Sequence, residues 1–230
     1  MITKYNKYNE SIKSLLVGPT EEEIIDNISK LSPNDMFKTS IKCNMLEGVK
    51  KSIELGADVL NFYNGNYGLS LQSISYNCNL EIFEYLINNK IIDLKEKIYI
   101  QMRRQTIEYT LMCDLIYYNK IDIIRFLLNT CDIDINSSNY FSIAVDNNQY
   151  EIINLFLDYD FSRDDISNGL LKSIKFSRYK IVELILDKTD IEVSLEMMDL
   201  SDSIFYREGP KPQGSEKVHN LIVNSVYKRK

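Results

Sequence analysis

Five segments of the 230-residue chain repeat one pattern. Each has an apolar or aromatic opening residue, an acid in most cases, two mostly β-branched residues, two variable ones and a pair of apolar residues. They run from Leu46 to Ser52-Ile53, Leu80 to Leu86-Ile87, Ile121 to Leu127-Leu128, Tyr150 to Phe156-Leu157 and Tyr179 to Ile185-Leu186. A repeat at this spacing constrains the fold more than any other property of the chain. A single unit cannot bury its own apolar face, so neighbours must stack to make a continuous core.

Apolar residues at offsets 2, 3, 6 and 7 from each opener share one face of a 3.6-residue helix, with Glu84, Arg125, Asn154 and Glu183 opposite. Nine residues before each opener stands another apolar residue, respectively Phe37, Leu71, Met112, Phe141 and Leu170. Three or four residues further come Ser40-Ile41, Ile74-Ser75, Leu115-Ile116, Ala144-Val145 and Ser173-Ile174, which predicts a first, shorter helix in every unit. The turn between the helices holds Asn44, Asn77 with Asn79, Asn119, Asn147 with Asn148, or Ser177. Asparagine is the non-glycine residue that best tolerates the left-handed exit from a helix. Asp35, Thr110, Asn139 and Asn168 occupy the expected N-cap of the first helix in four units, with Leu69 the exception.

Helix, tight turn, helix and loop in this order resemble the ankyrin repeat. The best match is Leu46 to Val59, where Gly56-Ala57-Asp58-Val59 closes the unit as the family's ending does. The resemblance implies an all-α, ankyrin-like helical-repeat solenoid with five repeats in 33–193. Residues 1–32 are expected to form an N-terminal capping repeat, and 194–230 C-terminal capping helices with a Pro/Gly loop, a candidate mobile segment, and a basic tail. The threonine-proline-leucine-histidine opening of the family is missing, and asparagine-rich turns replace its glycine-histidine turn, which implies lower stability per repeat. Openers are spaced 34, 41, 29 and 29 residues apart. The longest interval carries an insertion near 93–108, in which Lys95, Lys97, Arg103 and Arg104 make a local basic patch. Abundant isoleucine, asparagine, lysine and tyrosine resemble the products of AT-rich genomes, and arrays of this style look like those of giant DNA viruses of amoebae such as mimivirus.

Composition narrows function by exclusion. With 44% hydrophobic residues the chain can bury a full core, while 27 basic against 33 acidic side chains leave a net charge of -6, the wrong sign for general nucleic-acid binding. Scarce glycine, one histidine and no tryptophan leave little for phosphate loops or histidine-based catalysis. His219 could serve as a base, but no acid or nucleophile is fixed beside it by local spacing. Asp164-Asp165 and Glu21 to Glu23 read as helix starts, where acids complement the macrodipole. Cys43, Cys78, Cys113 and Cys131 form no C-x-x-C pair and read as reduced, mostly buried thiols. No signal-peptide core or 18-residue apolar span occurs, which predicts an intracellular, cytoplasmic protein, in the host cytoplasm if viral.

The expected function is therefore that of a non-enzymatic protein–protein interaction scaffold, with no cofactor, no metal and no membrane or nucleic-acid partner. A monomer is favoured. In ankyrin proteins the outward positions of the first helices line a concave binding face. The resemblance places Lys38, Lys42, Gln72, Tyr76, Asp114, Tyr117, Tyr118, Asp146, Lys172, Lys175 and Phe176 there. Tyr76 and Tyr117 fall at matching places in neighbouring units and are expected side by side. Asp114 and Asp146 flank them, with Lys172 and Lys175 beyond, which predicts a face zoned from acidic to basic. The expected partner is a protein, with a host factor as one candidate. The alternatives left open are a structural or virion-associated subunit contacting viral proteins or itself, and binding by the insertion instead of the groove.

Overall fold

The computed structural model describes residues 21–62, 67–92, 98–102, 105–136 and 139–228. The described chain is helical apart from one two-stranded hairpin, and it divides into two compact units, Met1–Leu111 and Met112–Lys230.

The first unit contains α1 (Glu21–Ile28), α2 (Pro33–Cys43), α3 (Leu46–Glu54), α4 (Tyr67–Asn77) and α5 (Leu80–Asn88). A hairpin of β1 (Ile98–Met102) and β2 (Gln105–Tyr109) follows, antiparallel, with Ile98 opposite Tyr109 and Met102 opposite Gln105. The insertion inferred from the long repeat interval is thus where the chain makes this hairpin. Lys95, Lys97, Arg103 and Arg104 lie outside the described residues. Helix α2 packs against α3 and α4, and α3 against α5.

The second unit continues with α6 (Leu111–Tyr117, its first residue closing the previous unit), α7 (Ile121–Thr130), α8 (Tyr140–Asp146), α9 (Tyr150–Phe156), α10 (Arg163–Lys175), α11 (Tyr179–Lys188), α12 (Leu195–Phe205) and α13 (Ser215–Lys228). Partners within a pair touch: α8 with α9, α10 with α11, α12 with α13. First helices also touch first helices, α8 to α10 to α12, while second helices run α7 to α9 to α11 to α13.

The helix faces follow the repeat pattern closely. Offsets 2, 3 and 6 from the opener are buried in all five second helices, and offset 7 is half-buried in all five. The five apolar residues nine before the openers, Phe37, Leu71, Met112, Phe141 and Leu170, are all in the core. The first helices are not consistently the shorter ones: α2, α4 and α10 have 11, 11 and 13 residues against 9, 9 and 10 for α3, α5 and α11.

Four of the five turns adopt the left-handed exit at the expected residue. Asn44, Asn119, Asn148 and Ser177 have φ between 54° and 57°. Each donates its N–H to the carbonyl three residues back, and the next residue donates to the carbonyl five back, as in Gln149 to Ala144 at 3.0 Å. That double closure satisfies carbonyls a helix end would otherwise leave open. The second repeat departs. Its counterpart residue is Cys78, fully buried and without positive φ, and Asn79 instead caps α5 by accepting the Ile82 N–H at 3.0 Å.

The helix starts also differ from expectation. Helix α2 is capped by Ser32 and α10 by Ser162, each accepting an N–H from the aspartate three residues on, Asp35 at 3.2 Å and Asp165 at 3.1 Å. The same serine hydroxyls donate to those carboxylates at 2.7 and 2.6 Å. This reciprocal box outcompetes a lone cap, so Asp35 sits inside its helix and Asn168 lies in the middle of α10. Asn139 is an N-cap without a side-chain bond.

Candidate functional site

A surface that binds another molecule needs side chains that reach solvent, and the first helices supply one such position. Four residues before each opener stand Lys42, Tyr76, Tyr117, Asp146 and Lys175, and all five are exposed. The residues one and two places earlier in each helix, such as Ser40-Ile41 and Ala144-Val145, are buried. The exposure is therefore a property of the register, because a 100° step per residue takes the chain from core to solvent. Gln72, one turn before Tyr76, is exposed too.

The tyrosines present most area. Tyr76 is 60% exposed and Tyr117 58%, and Tyr117 stands edge-on to half-buried Tyr118 with ring centroids 5.1 Å apart. Tyr76 belongs to the first compact unit and Tyr117 to the second. Phe176 is 49% exposed at the exit of α10.

Two expectations about charge are overturned. Asp114 is 1% exposed and is no part of an open face. All residues of its helix from 111 to 116 are buried, and Tyr117 at the end of the helix is exposed. The same register position is only half-buried in its counterparts Thr39, Ser73, Ile143 and Lys172, so a flank that stays partly open elsewhere is closed here. Lys172 is half-buried, and its Nζ donates to Ser142 Oγ at 2.6 Å and to Asp146 Oδ2 at 2.7 Å. This lysine of α10 thus neutralises the exposed acid of α8. With Asp114 buried and Asp146 paired to Lys172, the acidic-to-basic zoning does not exist. What remains exposed along the second unit's exits is aromatic at Tyr117 and Phe176, basic at Lys175 and, at Asp146, an acid already paired.

Sequence reasoning missed a cluster at the end of the second unit. Arg178, the residue after the Ser177 turn, donates from Nη2 to the Asp146 carbonyl at 3.0 Å and lies with Cζ 4.9 Å from the centre of Phe176. Burial pulls the Arg178 guanidinium below its ordinary range, against the pull of Asp146. Gly214, at φ 89°, rests on this turn: a Cβ there would stand 2.7 Å from the Ser177 carbonyl oxygen and 3.2 Å from the Tyr179 ring. Only glycine satisfies both the left-handed backbone and the close approach. The Pro/Gly loop, which reads in sequence as a candidate mobile segment, is anchored at this point. Its glycine and proline content signals a special backbone but not what that backbone touches.

His219 has the acid that local spacing does not supply. Asp202 of α12 brings Oδ1 to 3.1 Å from Nδ1, without hydrogen-bond alignment. The imidazole stacks on Phe205 at 4.3 Å with planes 4° apart, and Tyr206 meets it edge-on. Among the described residues no serine or cysteine is hydrogen-bonded to His219, so the imidazole has no nucleophile to activate in the manner of a triad. The four cysteines are free thiols, Cys78 and Cys113 buried and Cys43 and Cys131 half-buried. Among the described residues no group of three histidine, cysteine or acidic side chains converges as metal ligands. No described helix is long and apolar enough to cross a membrane. Compared with known protein families and with curated proteins, the sequence matches none.

Proposed function

We propose that the chain is a non-catalytic scaffold that captures a protein partner on the first helices of an ankyrin-like solenoid. The five exposed register positions Lys42, Tyr76, Tyr117, Asp146 and Lys175 carry this reading, since the same place of the first helix reaches solvent in every repeat. Helix-to-helix contacts of first with first and second with second within each unit support a stacked array. So does the polar outer side of the last pair, with Glu196, Asp199, Asp202 and Ser203 on α12 and Glu216, Asn220 and Asn224 on α13 all exposed, as a terminal cap requires. Gln72, Tyr118 and Phe176 extend the surface; Asp114 takes no part. Tyrosines are effective anchors because they bury a large area with few rotatable bonds.

The test is co-purification of the tagged protein from cells that express or host it, with the Tyr76→Ala/Tyr117→Ala variant in parallel. A foreign partner that is retained by the wild type and weakened by at least about 2 kcal/mol in the variant, at unchanged helicity, is the expected result. Recovery of only further copies of the chain would transfer the surface to self-assembly.

A further inference from the structure

Three cations of the second unit are neutralised by carboxylates, Arg163 within its own repeat by Asp190 at 3.3 Å, and Lys172 by Asp146 and Lys188 by Asp158 of the preceding repeat, both at 2.7 Å. Four others behave differently. Among the described residues no carboxylate lies within ion-pair distance of Lys175, Arg178, Lys211 or Lys217. Each stands over an aromatic ring instead. Lys175 Nζ is 6.0 Å and Arg178 Cζ 4.9 Å from the centre of Phe176, Lys211 Nζ is 4.4 Å from Phe205, and Lys217 Nζ is 4.3 Å from Tyr179.

These groups belong to one surface. Phe176 to Tyr179 form a single turn, Gly214 of the following loop seats on that turn, and Lys211 and Lys217 flank Gly214 in sequence. Helix α10 packs on α12 and α11 on α13, which holds the turn and the loop together. Phe176 at 49% and Tyr206 at 69% exposure offer apolar area beside the cations. In residues 175–179 and 202–219 five cations stand against three acids, Asp202, Glu208 and Glu216, in a chain whose overall charge is -6.

We propose that this basic–aromatic patch is a docking site for an acidic peptide segment of a partner protein, one that places carboxylates on Lys175, Lys211 and Lys217 and an aromatic or apolar side chain against Phe176 or Tyr206. A ring beneath an ammonium leaves its charge intact and its outward N–H donors open, and it narrows the side chain's freedom before a ligand arrives. A carboxylate meeting such a cation completes a charge-assisted hydrogen bond without displacing an existing ion pair. A densely charged nucleic acid is disfavoured by the acidic remainder of the chain, whereas a short acidic segment touches only the patch. The inference rests on the scaffold reading for the existence of a protein partner, but it assigns a surface that does not involve Tyr76 or Tyr117.

The experiment is fluorescence anisotropy on the full chain, with a labelled short peptide of glutamates interspersed with phenylalanine and leucine as the probe. Binding by the wild type is expected to fall at least about tenfold when the peptide's glutamates become glutamines, and again in the exposed double variant Lys175→Glu/Lys211→Glu, with circular dichroism confirming the fold. The Lys175→Gln/Lys211→Gln variant is expected between the two, and Tyr76→Ala/Tyr117→Ala is expected to bind the probe as the wild type does. Equal affinity for the glutamine peptide, full binding by the charge-reversed variant, or stronger binding of single-stranded oligothymidylate would each overturn the proposal. A wild-type protein that captures its cellular partner yet ignores the glutamate peptide would overturn it too, while leaving the scaffold reading standing.

Discussion

Gly169 offers the sharpest test of how the repeats stack. It sits inside α10, where glycine costs about 1 kcal/mol of helix stability relative to alanine, so Gly169→Ala would stabilise an isolated helix. In the folded unit the position faces Phe141 of α8. A Cβ there would lie 2.7 Å from Phe141 Cδ1, closer still to Cε1, and 3.4 Å from Val145 Cγ2. Ordinary contact begins at 3.4 Å, so the ring must retreat by roughly 0.7 Å or more. It has little room to do so. Phe141 is 1% exposed and backed by Phe161 at 5.5 Å, which itself packs on Phe156 at 4.9 Å. Overpacking a core of this kind costs about 1 to 3 kcal/mol, and the rigid backing places this site toward the upper end. After the helix-propensity gain the net loss is about 1 to 2 kcal/mol. Urea unfolding followed by far-UV circular dichroism measures it directly, provided the slope with denaturant is unchanged. In the double variant Gly169→Ala/Phe141→Leu the smaller side chain makes room, so the combined cost is expected to be at least about 1 kcal/mol below the sum of the singles. A Gly169→Ala protein more stable than the wild type would refute the reasoning, because it would mean that α8 does not approach α10 closely enough to exclude a methyl group.

Two further outcomes follow from burial. Phe156, 1% exposed and packed on Phe161, is expected to cost about 3 to 5 kcal/mol when changed to alanine, and a loss under about 1 kcal/mol in the same urea assay would show that the face of α9 is misassigned. The Cys43 thiol is held above its ordinary value of 9.0 by burial, with Lys42 pulling the other way. The folded protein therefore keeps this proton at pH values where the unfolded chain has lost it, and the thiol's contribution to stability is complete below about pH 9 and lost as pH rises through the folded value. Cys43 should accordingly alkylate more slowly in native protein than in urea at pH 8 to 9, read by mass spectrometry against the Cys43→Ser variant; equal rates would remove the burial argument.

What the sequence determined by itself is everything governed by short-range periodicity. The buried offsets of the second helices, the apolar residues nine before each opener and the left-handed turns at Asn44, Asn119, Asn148 and Ser177 all depend on neighbours within one or two helical turns. The same periodicity exposed Lys42, Tyr76, Tyr117, Asp146 and Lys175. The serine boxes at Ser32 and Ser162 were local as well; a serine three residues before an aspartate is their signal, and the cap expected at Asp35 and Asn168 passed it over. Tertiary structure alone decided the burial of Asp114, the pairing of Asp146 with Lys172 across 26 residues, the seat of Gly214 on Ser177 and the meeting of His219 with Asp202. The meeting of His219 with Asp202 depends on how the two helices of the last pair face each other, and the Asp146–Lys172 pair and the seat of Gly214 on the offset at which one helix pair sits on the next. That offset is set by packing side chains from different repeats, so a pattern repeated along the chain constrains which face is buried and leaves open which residue it is buried against.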